Sequence, residues 1–157
     1  MTLRFGAPWS TSLTLISLFV VGVFALVWAA GAVVAAVLLG ATVALAGCYA
    51  VLGYAVEPGA LVVYRPGWET RIDLAGLQSA TIDPDAMRFA LRVFGAGGPF
   101  AFVGRYRNRR TGPFTAYATD RDRCVVLRWN GRTVVVTPDD PETFVTAVEA
   151  AARRDEF

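Results

Sequence analysis

The sequence contains no lysine and no histidine; every basic side chain is an arginine. Without histidine there is no Ser-His-Asp or Cys-His relay and no imidazole-based zinc site. Without lysine there is no Walker phosphate loop, no Ser-Lys pair and no Schiff base. Cysteine is nearly absent as well. Cys48 lies in an apolar run and Cys124 in a strand pattern, so the two read as small buried apolar residues and not as a disulfide or a metal site. The longest absence is of charge: no charged residue lies between Arg4 and Glu57.

What remains for chemistry is carboxylates. Asp83-Pro84-Asp85 and Asp120-Arg121-Asp122 fall where turns are expected, and Asp in turns bonds to its own backbone. Asp139-Asp140 precedes a helical pattern and reads as a cap. No catalytic residue, metal ligand or cofactor is expected, and an enzyme is disfavoured.

The uncharged run raises the apolar fraction to 55%, above the roughly 45–50% of soluble domains. From Leu13 to Val56 a single straight helix would reach about 65 Å, twice what a bilayer needs. The run therefore reads as a hairpin of two transmembrane helices, 11–30 and 32–54, pivoting at Gly31 with Trp28 at the far interface. A secretory signal would be shorter and would not be followed at once by a second span. Residues 1–10 form a cytoplasmic N-terminus, residues 55–154 a cytoplasmic domain, and 155–157 a tail. The uncharged turn lies between flanks carrying Arg4 at one end and Arg65 and Arg71 at the other. The positive-inside rule then places both termini in the cytoplasm of a multi-pass protein of the cell (inner) membrane. Neither span carries a charged side chain, which disfavours a channel or transporter. Ala36, Gly40, Ala44 and Cys48, spaced by four, form a small-residue stripe on the second helix, and Gly22, Ala25 and Ala29 mark the first. Such stripes let helices approach closely, either within one hairpin or between two copies as a homodimer.

After Tyr54 the apolar period changes to two. Leu61–Tyr64 and Trp68–Asp73 flank an Arg65-Pro66-Gly67 turn, and Ala80–Ile82, Phe114–Thr119 and Cys124–Trp129 follow as strands. Asn130-Gly131 marks a type I′ hairpin, in a register that pairs Leu127 with Val134 and Val125 with Val136. A last amphipathic helix starts with Asp140 as cap and Pro141 in its first position. It buries Phe144, Val148, Ala151 and Ala152 and ends on Arg153 and Arg154. The fold class is α+β: strands forming a bent sheet or partly open barrel, closed by one helix.

This order of elements resembles a bacterial PH-like domain family. The likeness is carried by Val93–Phe100, Gly104–Asn108, Tyr117–Thr119 and Val136–Phe144. The resemblance implies two N-terminal membrane helices and a PH-like antiparallel β-barrel or sandwich with a C-terminal capping helix. It implies no particular activity.

One stretch stands out in charge. Between Ala86 and Thr119 there are six arginines, several glycines and aromatics, and no acidic residue. It reads either as a pair of strands joined by a Gly-rich hairpin with a solvated outer face, or as a basic, aromatic-edged contact surface. Arg105, Arg107, Arg109, Arg110, Phe100 and Phe102 are the candidate contacts, with strand edges and the Arg109–Gly112 turn as the surface. The net charge of +2 and the membrane tether speak against nucleic acid. The expected function is a non-enzymatic, membrane-anchored module that binds a protein partner or anionic lipid at the inner leaflet. The alternative is an accessory subunit of a larger membrane complex, engaged through Ala36, Gly40, Ala44 and Cys48.

Overall fold

The computed structural model describes residues 2–94, 97–98 and 101–153. The chain begins with a strand, β1 (Leu3–Gly6), followed by two helices, α1 (Thr11–Ala29) and α2 (Val33–Cys48). Ser10 caps α1, its hydroxyl accepting from the Leu13 amide at 3.2 Å. Gly31, with φ of 75°, makes the pivot between the helices. The second helix is shorter than the apolar run: it ends at Cys48, and Gly53 and Tyr54 belong to a strand, β2 (Gly53–Glu57). Apolar composition cannot separate a helix from the buried strand that continues it.

Strands β1, β2, β3 (Ala60–Arg65) and β4 (Trp68–Asp73) form one antiparallel sheet in that order. The β2–β3 and β3–β4 turns are two-residue Pro-Gly links, with Gly59 and Gly67 at φ of 72° and 94°. A left-handed residue after proline is what a type II turn requires. Because β1 pairs with β2 from Leu3↔Val56 to Gly6↔Gly53, the two helices are an excursion between neighbouring strands of one sheet. Residues 3–6 are thus part of the domain rather than a separate N-terminus.

The second sheet has the order β5 (Ser79–Ile82), β10 (Val125–Trp129), β11 (Arg132–Val136), β9 (Gly112–Ala118), β8 (Ala101–Asn108), β6 (Leu91–Phe94), with the short β7 (Gly97–Gly98) also on β8. The architecture is therefore two separate sheets rather than a closed barrel. One pair departs from the antiparallel expectation: β9 and β11 run parallel, since residues 119–124 carry the chain past a position that β11 fills later. The β10–β11 register is the expected one, Val125 with Val136 and Leu127 with Val134. In its turn only Gly131 is left-handed (φ 78°), so the link is not of the expected I′ type.

The main core lies between the sheets and under α3 (Pro141–Arg153), where Tyr54, Leu61, Ile72, Leu127, Val136, Phe144 and Val148 are buried. The outer face of the larger sheet carries a smaller core. There Val126, Val135, Ala116, Tyr106 and Phe114 are covered by Ala86 and Met87. Val125–Leu127 of β10 and Val134–Val136 of β11 are buried on both faces, which explains their unbroken apolar runs.

Candidate binding groove at a sheet edge

Strand β6 ends the larger sheet, and all four of its residues are exposed. Leu91 is 76%, Val93 68% and Phe94 76% exposed, with Phe89 just before the strand at 86%. A strand of this composition normally faces a core, so its exposure is the unusual feature of the surface.

The reason lies in the preceding segment. Asp83 to Ala90 folds over the smaller core as successive turns. Asp83 Oδ1 accepts from the Asp85 amide at 3.1 Å, and the Arg88 amide donates to the Asp85 carbonyl at 2.9 Å. Phe89 takes a left-handed φ of 54°, which turns its ring outward. For a bulky residue that conformation costs roughly 1–3 kcal/mol. Across from it, Asn108 locks the β8–β9 turn: its Oδ1 accepts from the Arg110 amide at 3.0 Å and its Nδ2 donates to the Ala86 carbonyl at 2.7 Å.

Between these elements runs an open groove of about 920 Å³. Phe89, Leu91 and Val93 supply its apolar wall, and Arg88, Arg107, Arg109 and Arg110 its charge. The arginines are not equivalent. Arg110 lies 3.7 Å from Asp83 and 3.6 Å from Asp85, and Arg88 3.5 Å from Asp85, so the turn partly neutralises both. Arg105, Arg107 and Arg109 form no ion pair among the described residues. Arg107 is paired with Leu91 and Arg105 with Phe94 across the β6–β8 ladder, so charge and apolar surface share one face.

Of the residues singled out from sequence, Arg107, Arg109 and Arg110 come together in the groove, and Arg105 extends it along the strand. Phe102 does not join them. It packs on the smaller core, with the Arg121 guanidinium 4.4 Å from its ring centroid. Phe100 lies outside the described residues. Phe89 falls among the aromatics of the arginine-rich stretch but not among the candidate contacts, and sequence reasoning missed Leu91, Val93 and Asn108: an apolar strand gives no local sign that it will lie at an edge, and the bond of Asn108 to Ala86 spans 22 residues. On the helices, Ala36 is fully buried against α1, and a Cβ on Gly40 would stand 3.0 Å from the Phe24 ring. Ala44, in contrast, is exposed and Cys48 only partly covered. The stripe is thus used within the hairpin at Ala36 and Gly40 only. The acidic pairs act as turn and cap residues. Asp120 Oδ1 accepts from the Asp122 amide at 3.1 Å, and Asp140 Oδ1 from the Thr143 amide at 3.1 Å.

The fold and groove define a class: an α+β sandwich of two sheets with a C-terminal helix and an open edge, the outline of a binding module. Residues 52–152 match the family described as Bacterial PH domain, and the chain belongs to that family. The match begins after the helices, so β1 is a contribution from outside the matched region. No curated protein and no solved structure matches the chain.

Proposed function

We propose that the protein is a non-enzymatic, membrane-anchored module whose PH-like domain offers the β6 groove to an acidic protein partner at the inner leaflet. The observation that carries this reading is the union of exposed apolar side chains on β6 with Arg105, Arg107 and Arg109, which form no ion pair among the described residues.

Anchoring is supported by α1, which has 19 residues, a mean hydropathy of 2.3 and only 11% burial. At 1.5 Å per residue it reaches about 28 Å, close to the hydrocarbon thickness of a bilayer. Helix α2, with 16 apolar residues, would return the chain. An out-and-back path with both termini on one side agrees with the pairing of β1 and β2, which keeps the two open ends of the hairpin together. The accessory-subunit and homodimer readings have less support, since Ala36 and Gly40 are already occupied by α1.

Purification of the full-length protein in mild detergent, with mass spectrometry of proteins and lipids, tests the reading. A stoichiometric protein should accompany the wild type and be lost from Arg107→Glu/Arg109→Glu. Enriched anionic lipid in its place would move the groove to the leaflet itself. Release of the protein from membranes by alkaline carbonate would overturn the anchored reading.

A further inference from the structure

Apart from the two-residue β7, four strands have an edge in these two sheets among the described residues, and three are guarded. On β4, Glu69, Arg71 and Asp73 point to solvent, with Arg71 paired to Glu57 at 2.7 Å. On β1, the Gly6 carbonyl accepts from the Asp139 amide at 3.0 Å. Beside β5, helix α3 covers the sheet, and Ala147 and Ala151 join Ala80 in the core. Charge, capping contacts and covering helices are the devices by which proteins stop a sheet from recruiting another strand. Among the described residues only β6 presents a mainly apolar edge without such cover, with Leu91, Val93 and Phe94 exposed around the single charge of Arg92.

We infer that β6 accepts one further strand, an extended acidic segment of a partner protein four to six residues long. The inference rests on the binding-module reading and names the ligand class for the same groove. An edge strand offers unpaired backbone donors and acceptors, and another strand satisfies them in series. A lipid surface would meet the arginines and apolar side chains but leave the backbone edge to water. A second copy would bring the same arginines against each other, because the stretch from Ala86 to Thr119 has six of them and no carboxylate. The face shared by Leu91 with Arg107, and by Phe94 with Arg105, suits a segment whose side chains combine carboxylates with β-branched residues. The bulge between Arg92 and Phe94 limits the regular ladder, which sets the short length.

The probe is a fluorescein-labelled octapeptide of alternating glutamate and valine, titrated onto the full-length protein in zwitterionic nanodiscs and followed by anisotropy. Saturable binding is expected, weakened at least tenfold by Arg107→Glu/Arg109→Glu and by raising salt. Both arginines are exposed, so the variant should keep the wild-type melting temperature, measured alongside. Two versions of the peptide, N-methylated on alternate amides in the two phases, separate strand addition from charge attraction. One phase should lose at least tenfold and the other should bind as before. Equal binding by both phases, or by a lysine–valine peptide, overturns the inference. So does absence of peptide binding when the same arginines govern retention on phosphatidylglycerol vesicles. A partner that co-purifies through Arg107 and Arg109 while both methylated phases bind equally would leave the module reading standing and remove strand addition alone.

Discussion

Tyr54 is the largest side chain fully removed from solvent, yet it carries a hydroxyl into the core. The hydroxyl donates to the Tyr117 carbonyl at 2.6 Å and accepts from the Thr137 amide at 3.2 Å. Thr137 Oγ1 in turn accepts from the Thr119 amide at 2.9 Å, and Thr119 Oγ1 donates to the Pro8 carbonyl at 2.7 Å. These bonds join β2, the ends of β9 and β11, and the entry to α1 at one buried point. Tyr54→Phe leaves the Tyr117 carbonyl and Thr137 amide short of a partner. Denaturant melts should show a loss of about 1–3 kcal/mol. Burial also pushes the Tyr54 hydroxyl up to about 12, and the Cys124 thiol, desolvated in the smaller core, up to about 12. Both groups are neutral when protonated, so the unfolded chain releases these protons first. Stability is then complete below about pH 9. It falls as pH rises, first through Cys124 and above pH 10 through Tyr54 as well, the latter amounting to about 2 kcal/mol by pH 12. Melting temperatures across pH 8–12 check this, and Cys124→Ser should move the onset from near 9 to near 10.

At the scale of elements, the pairing of β1 with β2 depends on a missing side chain. A Cβ on Gly53 would lie 2.8 Å from the Phe5 carbonyl oxygen, a backbone atom that cannot rotate away. Gly53→Ala should therefore push β1 off β2 and loosen the contact of the Phe5 ring with Phe144, whose centroids are 5.2 Å apart. The expected cost is roughly 1–3 kcal/mol. Faster hydrogen exchange at Leu3–Gly6 would identify β1 as the element that moved. The helix α3 was readable from sequence because its signals are local. Asp140 holds the Thr143 amide and hydroxyl, and the periodic Phe144, Val148 and Ala151 follow within three turns. The β10–β11 hairpin was readable for the same reason. Strand β1 was not: its four residues carry only a short alternation, and their partner lies some fifty residues away.

For the whole molecule, a hairpin inserted between paired strands means that the domain needs sequence from both sides of the helices. A fragment of residues 52–153 lacks Phe5 and one edge of the first sheet. It should melt well below a version in which residues 2–6 are joined to residue 53 by a short glycine turn, because Phe5 is 9% exposed and lies in the core. Removing a buried phenylalanine typically costs about 3–5 kcal/mol. Thermal melts of the two proteins, which differ only in β1, make the comparison.

The sequence by itself determined the features that neighbouring residues decide among themselves. These are the uncharged helical run with its Gly31 pivot, the register of Val125–Trp129 on Arg132–Val136, and the capped final helix. It also marked Arg105, Arg107, Arg109 and Arg110 as a basic cluster, since charge is visible without a fold. Only the tertiary structure decided which strands are interior and which are edges. Val135 and Val93 look alike in sequence, yet one is sealed between β9 and β10 and the other is open to solvent. The difference is made by neighbours brought from elsewhere in the chain. The turns from Asp83 to Ala90 and the clasp of Asn108 on Ala86 hold β6 at the rim, and a side chain's burial depends on that assembly rather than on its own type.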